Sequence, residues 1–131
     1  MKVGIVTGSF DLLHVGHIQL FKEAHKQCDK LIVALHVNPR VERPNKNRPV
    51  ESVWERFIKL KACTEVDKIV IYEFESDLEL ILKFYNVDIR FLGSDYKDDG
   101  KERSYTDICP VVYIDSLPVH TSDIRRRIIN S

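Results

Sequence analysis

Apolar residues follow two rhythms along this chain. Five short runs, Val3-Gly4-Ile5-Val6, Leu31 to Leu35, Ile69 to Tyr72, Asp88 to Leu92 and Val111 to Ile114, have the length of strands. The continuous ones lack polar alternation, as expected of strands covered on both faces. Between the runs, apolar residues recur every three or four positions: Ile18, Phe21, Ala24 and Cys28, then Val53, Trp54, Phe57, Leu60 and Ala62, then Leu78, Ile81, Leu82 and Tyr85. This spacing predicts a helix from about Val15 to Gln27, a well-buried second helix opened by Glu51 and Ser52, and a third capped by Asp77.

Strands that alternate with helices and then add two more strands predict an α/β fold. The expected architecture is a single Rossmann-like domain over residues 1–131, a doubly wound parallel sheet of five strands in the order 3-2-1-4-5 with helices on both faces. In such sheets ligands collect beyond the strand ends at the switch point, here beside the first strand.

That strand runs into Gly8-Ser9-Phe10-Asp11-Leu12-Leu13-His14-Val15-Gly16-His17. A glycine at position 8 lets backbone N–H groups approach a ligand, and the helix beginning near Val15 points its positive end to the same place, so an anion is the natural occupant. At a spacing of three, His14 and His17 can face one point, with Gly16 leaving room for a phosphate. By spacing alone the pair also fits a metal site or plain surface polarity. His36, at the end of the second strand, either lines the site or is a histidine satisfied at a strand end; His25 reads as a solvated surface residue.

Composition narrows the classes. Charged residues make up 31% of the 131 residues and 20 basic residues balance 20 acidic ones, so no global field favours nucleic acid. Phosphate binding falls to local groups, and the stretch from Asn38 to Pro49, with Arg40, Arg43, Lys46 and Arg48, is a basic loop. No apolar stretch approaches the ~20 residues of a membrane span, and the first strand begins without a signal peptide, so a cytoplasmic enzyme with no membrane partner is expected. Cys28, Cys63 and Cys109 are odd in number and widely spaced, against a disulfide framework or structural zinc; Cys28 and Cys63 read as small apolar fillers.

Gly8-Ser9-Phe10-Asp11 followed by His14-Val15-Gly16-His17 resembles the signature of the cytidylyltransferase-like nucleotidyltransferases. Glu55-Arg56 with Leu60, Val66-Asp67, Gly93-Ser94-Asp95-Tyr96 and Thr121-Ser122-Asp123-Ile124-Arg125 resemble further elements of that family. The resemblance implies a nucleoside triphosphate over the first strand, held by Gly8, Ser9, Phe10, Gly16, Arg56, Asp95, Thr121 and Ser122. His14 and His17 would stabilise charge while an acceptor phosphate attacks the α-phosphorus, and Lys46 would orient the reacting phosphates. Magnesium would neutralise the triphosphate without a protein cage, with Asp11 helping to place the metal or the acceptor. For Arg56 the competing reading is a salt bridge with Glu55 or a neighbour.

Size and layout resemble the glycerol-3-phosphate cytidylyltransferases. This implies CTP, glycerol 3-phosphate as acceptor, CDP-glycerol and pyrophosphate as products, and a homodimer. Two features depart from that group: His120 stands where serine is usual, and Asp115-Ser116-Leu117-Pro118-Val119 replaces an R-T-x-G-I lead-in. Arg125 and Arg126 are candidates to replace the missing arginine. The alternatives are an adenylyltransferase using ATP on a sugar phosphate or cofactor precursor, and a catalytically silent nucleotide-binding module.

Overall fold

The structure is a computed structural model that describes residues 1–93, 105–115 and 121–130, with residues 121–123 and 130 described for the backbone only. The elements are β1 (Val3–Gly8), α1 (Val15–His25), β2 (Lys30–His36), a 3-10 turn (Pro39–Val41), α2 (Val53–Lys61), β3 (Lys68–Tyr72), α3 (Asp77–Phe84), β4 (Ile89–Gly93), β5 (Val111–Ile114) and α4 (Thr121–Asn130). The five strands form one parallel sheet in the order β3-β2-β1-β4-β5, the expected topology.

Both faces of the sheet are covered, which explains the unbroken apolar runs. Leu31, Val33 and Leu35 of β2 face Phe21 and Ala24 of α1 and Leu60 of α2. Ile32 and Ala34 face the other way, with Leu78, Ile81 and Leu82 of α3. Gly4 sits where no side chain fits, since a Cβ there would lie 2.5 Å from the Phe91 ring and 3.0 Å from Cys28 Sγ.

The register positions the site. β1 pairs with β2 from Val3 to Gly8 but with β4 only from Gly4 to Val6. Past Val6 the two central strands part, and the crevice at the switch point opens on the β4 side of Thr7 and Gly8.

Two expectations need correction. The second helix is not well buried: among its residues only Arg56 and Leu60 are buried, and Trp54 is 64% exposed. Val53, Phe57 and Leu60 form one stripe at i, i+4 and i+7, while Trp54 and Ile58 lie on the neighbouring stripe, turned to solvent. Asp77 does not cap α3 either. It is the first helical residue, and its carboxylate accepts the Phe74 N–H at 3.1 Å.

The cysteines are free, and burial raises all three thiols, so none is a reactive thiolate. His25 lies 3.4 Å from an Asp67 carboxylate oxygen at the surface. No described helix is long and apolar enough to cross a membrane.

Candidate active site

The turn between β1 and α1 is strained. Phe10 and Leu12 have φ of 49° and 50°, a left-handed conformation that typically costs a non-glycine residue roughly 1–3 kcal/mol. Neighbouring segments hold it there. The Ser9 carbonyl accepts from Arg56 Nη1 at 3.0 Å, and the Leu12 N–H donates to Glu51 Oε1 at 2.7 Å. Asp11, 4% exposed, accepts the N–H groups of Val50 and Glu51 at 2.8 and 3.0 Å and pairs with Arg125 Nη2 at 2.6 Å. Arg125 also donates to the Arg48 carbonyl, so α4 reaches both the first turn and the basic loop.

Phe10, expected at the nucleotide, turns into the core. Its ring packs on Phe21 at 5.4 Å and stands edge-on to His17 at 5.6 Å. It supports the histidine from below, and a Cβ at Gly8 would just touch the same ring at 3.4 Å.

His14 and His17 form a capping box, the pattern usually built from a hydroxyl and a carboxylate three residues apart. His14 is the N-cap of α1, and its Nδ1 accepts the Gly16 N–H at 3.0 Å. His17 Nδ1 in turn accepts the His14 N–H at 3.1 Å. A ring nitrogen that accepts a backbone N–H carries no proton, so both rings are neutral with the proton on Nε2. The rings stack with centroids 3.9 Å apart. The spacing of three that brings them to one point therefore also fixes their tautomers. The buried Gly16 sends its N–H to His14, which leaves its role beside a phosphate to the lack of a side chain.

Burial lowers the His17 pKa to about 3, helped by His14 and opposed by Asp11. The unfolded imidazole binds its proton near 6.5 and the folded one only near 3, so stability is insensitive to this group above the unfolded value and falls as pH drops through that window. The slope is at most about 1.4 kcal/mol per pH unit for one proton. Urea midpoints of wild type and His17→Gln between about pH 7 and 4 should converge as pH falls. Parallel curves would show that His17 titrates normally.

Arg56 is 2% exposed and does not reach outward. Its Nε donates to the carbonyls of Glu51 and Ser52, Nη1 to those of Ser9 and His36, and Nη2 to that of Val37, at 2.7 to 3.3 Å. It ties β1, β2 and α2 together behind the site instead of extending to a phosphate. The competing salt bridge with Glu55 is absent among the described contacts, because the Glu55 carboxylate closes a capping box with Ser52. Burial lowers the Arg56 pKa, with Asp11 and Glu51 pulling the other way.

The carboxylate of Asp11 fits poorly as a metal ligand, since both oxygens already accept from backbone N–H groups and one also meets Arg125. Among the described residues no three His, Cys, Asp or Glu side chains are grouped to hold an ion.

The basic loop leaves β2 at His36. That histidine is 1% exposed, donates from Nε2 to the Glu73 carbonyl at 3.0 Å and stacks on Tyr72, so it is a satisfied core residue. Within the loop Arg43 pairs with Glu75 at 2.9 Å and Glu42 accepts the Glu75 N–H. Lys46 is exposed on the stretch between these contacts and the Asp11 bonds at Val50 and Glu51. Asp95 lies outside the described residues, and so do the side chains of Thr121 and Ser122, whose backbone opens α4. Glu51 carries a part that sequence did not reveal: a left-handed leucine has no sequence signature, so neither has its partner.

A parallel sheet with a helix N-terminus and two neutral histidines beyond its first strand is an α/β domain with a site suited to an anion. The cytidylyltransferase-like family model matches residues 5–127, and the chain belongs to that family. The HldE bifunctional protein of Caulobacter vibrioides is 38% identical over 97 residues, 73% of this chain and 20% of that protein. An FAD synthase of Thermococcus sibiricus is 41% identical over 99 residues, 75% of this chain and 67% of its own. The crystal structure of the lipopolysaccharide core biosynthesis protein from Thermoplasma volcanium superposes with a TM-score of 0.74 at 25% identity, covering 89% of this chain and 98% of that one. The chain thus matches only a fifth of the length of the HldE protein.

Proposed function

We propose that the chain transfers an adenylyl group from ATP to the phosphate of a small acceptor, a phosphorylated sugar or cofactor precursor, and releases pyrophosphate. The observation that carries this reading is the histidine pair, which is neutral, stacked and locked with Nε2–H as the donor on each ring. Two such donors at a strand end and helix N-terminus suit a phosphoryl centre on which charge builds up.

An acceptor phosphate oxygen attacks the α-phosphorus in line, the bond from the α-phosphorus to the bridging oxygen breaks, and pyrophosphate departs with that oxygen. No covalent enzyme intermediate forms. His14 and His17 donate hydrogen bonds to the phosphate oxygens, and because they are neutral they need not exchange a proton during transfer. Lys46 supplies positive charge from the loop, and Thr121 with Ser122 would hold the outer phosphates at the start of α4. Magnesium enters on the triphosphate as part of the substrate, since Asp11 is already committed to other partners.

The choice of ATP over CTP is supported by the likeness to an FAD synthase, whose named product contains an adenylyl group. The absence of an arginine from Asp115 to Val119 points the same way. A sugar phosphate is supported by the likeness to a lipopolysaccharide core biosynthesis protein. A homodimer remains part of the proposal.

The test is magnesium-dependent pyrophosphate release with ATP or CTP, each against sugar phosphates, flavin mononucleotide and glycerol 3-phosphate. Release with ATP and one acceptor class is the expected result. Release with CTP alone would restore the cytidylyl reading, and silence with every pair would overturn the transferase reading.

A further inference from the structure

We propose that Glu51 is a positioning residue for the histidine pair: its carboxylate selects the turn conformation from which His14 and His17 are presented. The inference rests on the transfer reaction proposed above, in which Glu51 touches no reacting atom.

The first turn and the residues before α2 exchange hydrogen bonds in both directions. Asp11 accepts the Glu51 N–H at 3.0 Å, and Glu51 Oε1 accepts the Leu12 N–H at 2.7 Å. The Glu51 carbonyl also accepts Arg56 Nε, and the far end of that guanidinium holds the Ser9 carbonyl. Glu51 is therefore joined to residues 9, 11 and 12 by three separate routes. Its side chain is only 10% exposed, and its second oxygen meets Lys59 Nζ at 2.6 Å, which fixes the carboxylate in place and balances its charge.

Leucine has no intrinsic preference for a positive φ. At Leu12 something outside the residue must select that state, and the partner of its N–H is Glu51. Two residues later His14 begins the capping box in an extended conformation, φ −133° and ψ −179°, and its ring must arrive over the Gly16 N–H. If Leu12 relaxes to an ordinary backbone conformation, the peptide planes leading to His14 rotate. Both imidazoles then move together, because the His14 N–H also holds the His17 ring.

The experiment compares Glu51→Ala, Glu51→Gln and Lys59→Met in the full chain with the acceptor found above. Glu51→Ala should lower kcat by on the order of 10–100-fold with KM for the nucleotide changed only a few-fold, as for catalytic groups displaced by about an ångström. Glu51→Gln keeps an oxygen for the Leu12 N–H and should recover kcat to within roughly fivefold of wild type. Lys59→Met should fall between them.

A second readout needs no turnover. Ring nitrogen NMR shifts of His14 and His17 should change in Glu51→Ala and return in Glu51→Gln. Unchanged kcat in folded Glu51→Ala, or equal losses in the alanine and glutamine variants, overturns the positioning role. If wild type transfers nothing to any acceptor, the transfer reading fails by itself. Ring shifts unaltered in Glu51→Ala would then overturn the role of Glu51 independently.

Discussion

Replacing His17 with alanine should lower kcat by about two to four decades, the range for losing a side chain that acts on charge in the transition state. The change also removes the acceptor of the His14 N–H, a cap worth about 1 kcal/mol, so a milder variant is needed beside it. His17→Asn offers a short side-chain oxygen to the same N–H but cannot place a donor where Nε2 stood. If both variants melt close to wild type and both lose turnover, the loss belongs to the missing donor. A folded His17→Asn that keeps most of its rate would sink the catalytic role and leave His17 as a helix cap.

The second large effect falls on stability. Arg56→Ala should lower the free energy of unfolding by roughly 3–5 kcal/mol, because it strips partners from several buried carbonyls and leaves a void in the wall between β1, β2 and α2. Arg56→Lys should recover little. One ammonium on a flexible stem cannot span the carbonyls of Ser9, His36, Val37, Glu51 and Ser52 that the planar guanidinium reaches together. Denaturant unfolding decides the matter, and a lysine variant as stable as wild type would show that these bonds are replaceable by water.

Sequence and structure agree best where periodicity and burial are the same thing. β2 could be read from Leu31 to Leu35 because both faces are covered, and the structure extends it by one residue at each end. The strand order followed because parallel connections leave few alternatives. The histidine pair was legible because a spacing of three on a helix start constrains both direction and tautomer. Arg56 was misread because its partners are main-chain carbonyls from three separate segments, and nothing local to Glu55-Arg56 marks them. Trp54 misled for the opposite reason, since a large apolar residue beside an apolar stripe looks buried until the helix is rotated against the sheet. Asp11 was expected to place the metal or the acceptor, whereas its described bonds bind the loop and α4 to the first turn.

The placement of β1 sets the timetable by which this site comes into being. During elongation the strand that carries Gly8 leaves the ribosome ahead of its partners, and β2 follows soon enough to zip along one side. Its other side waits for β4, where Asp88 closes a doubled bond to Val3. The clasp on Asp11 waits longer still, until Arg125 has been made. Until then the nascent chain holds its two histidines in sequence but not in register with the segments that steady them. The turn that carries the motif is thus steadied only by segments that follow it in the chain.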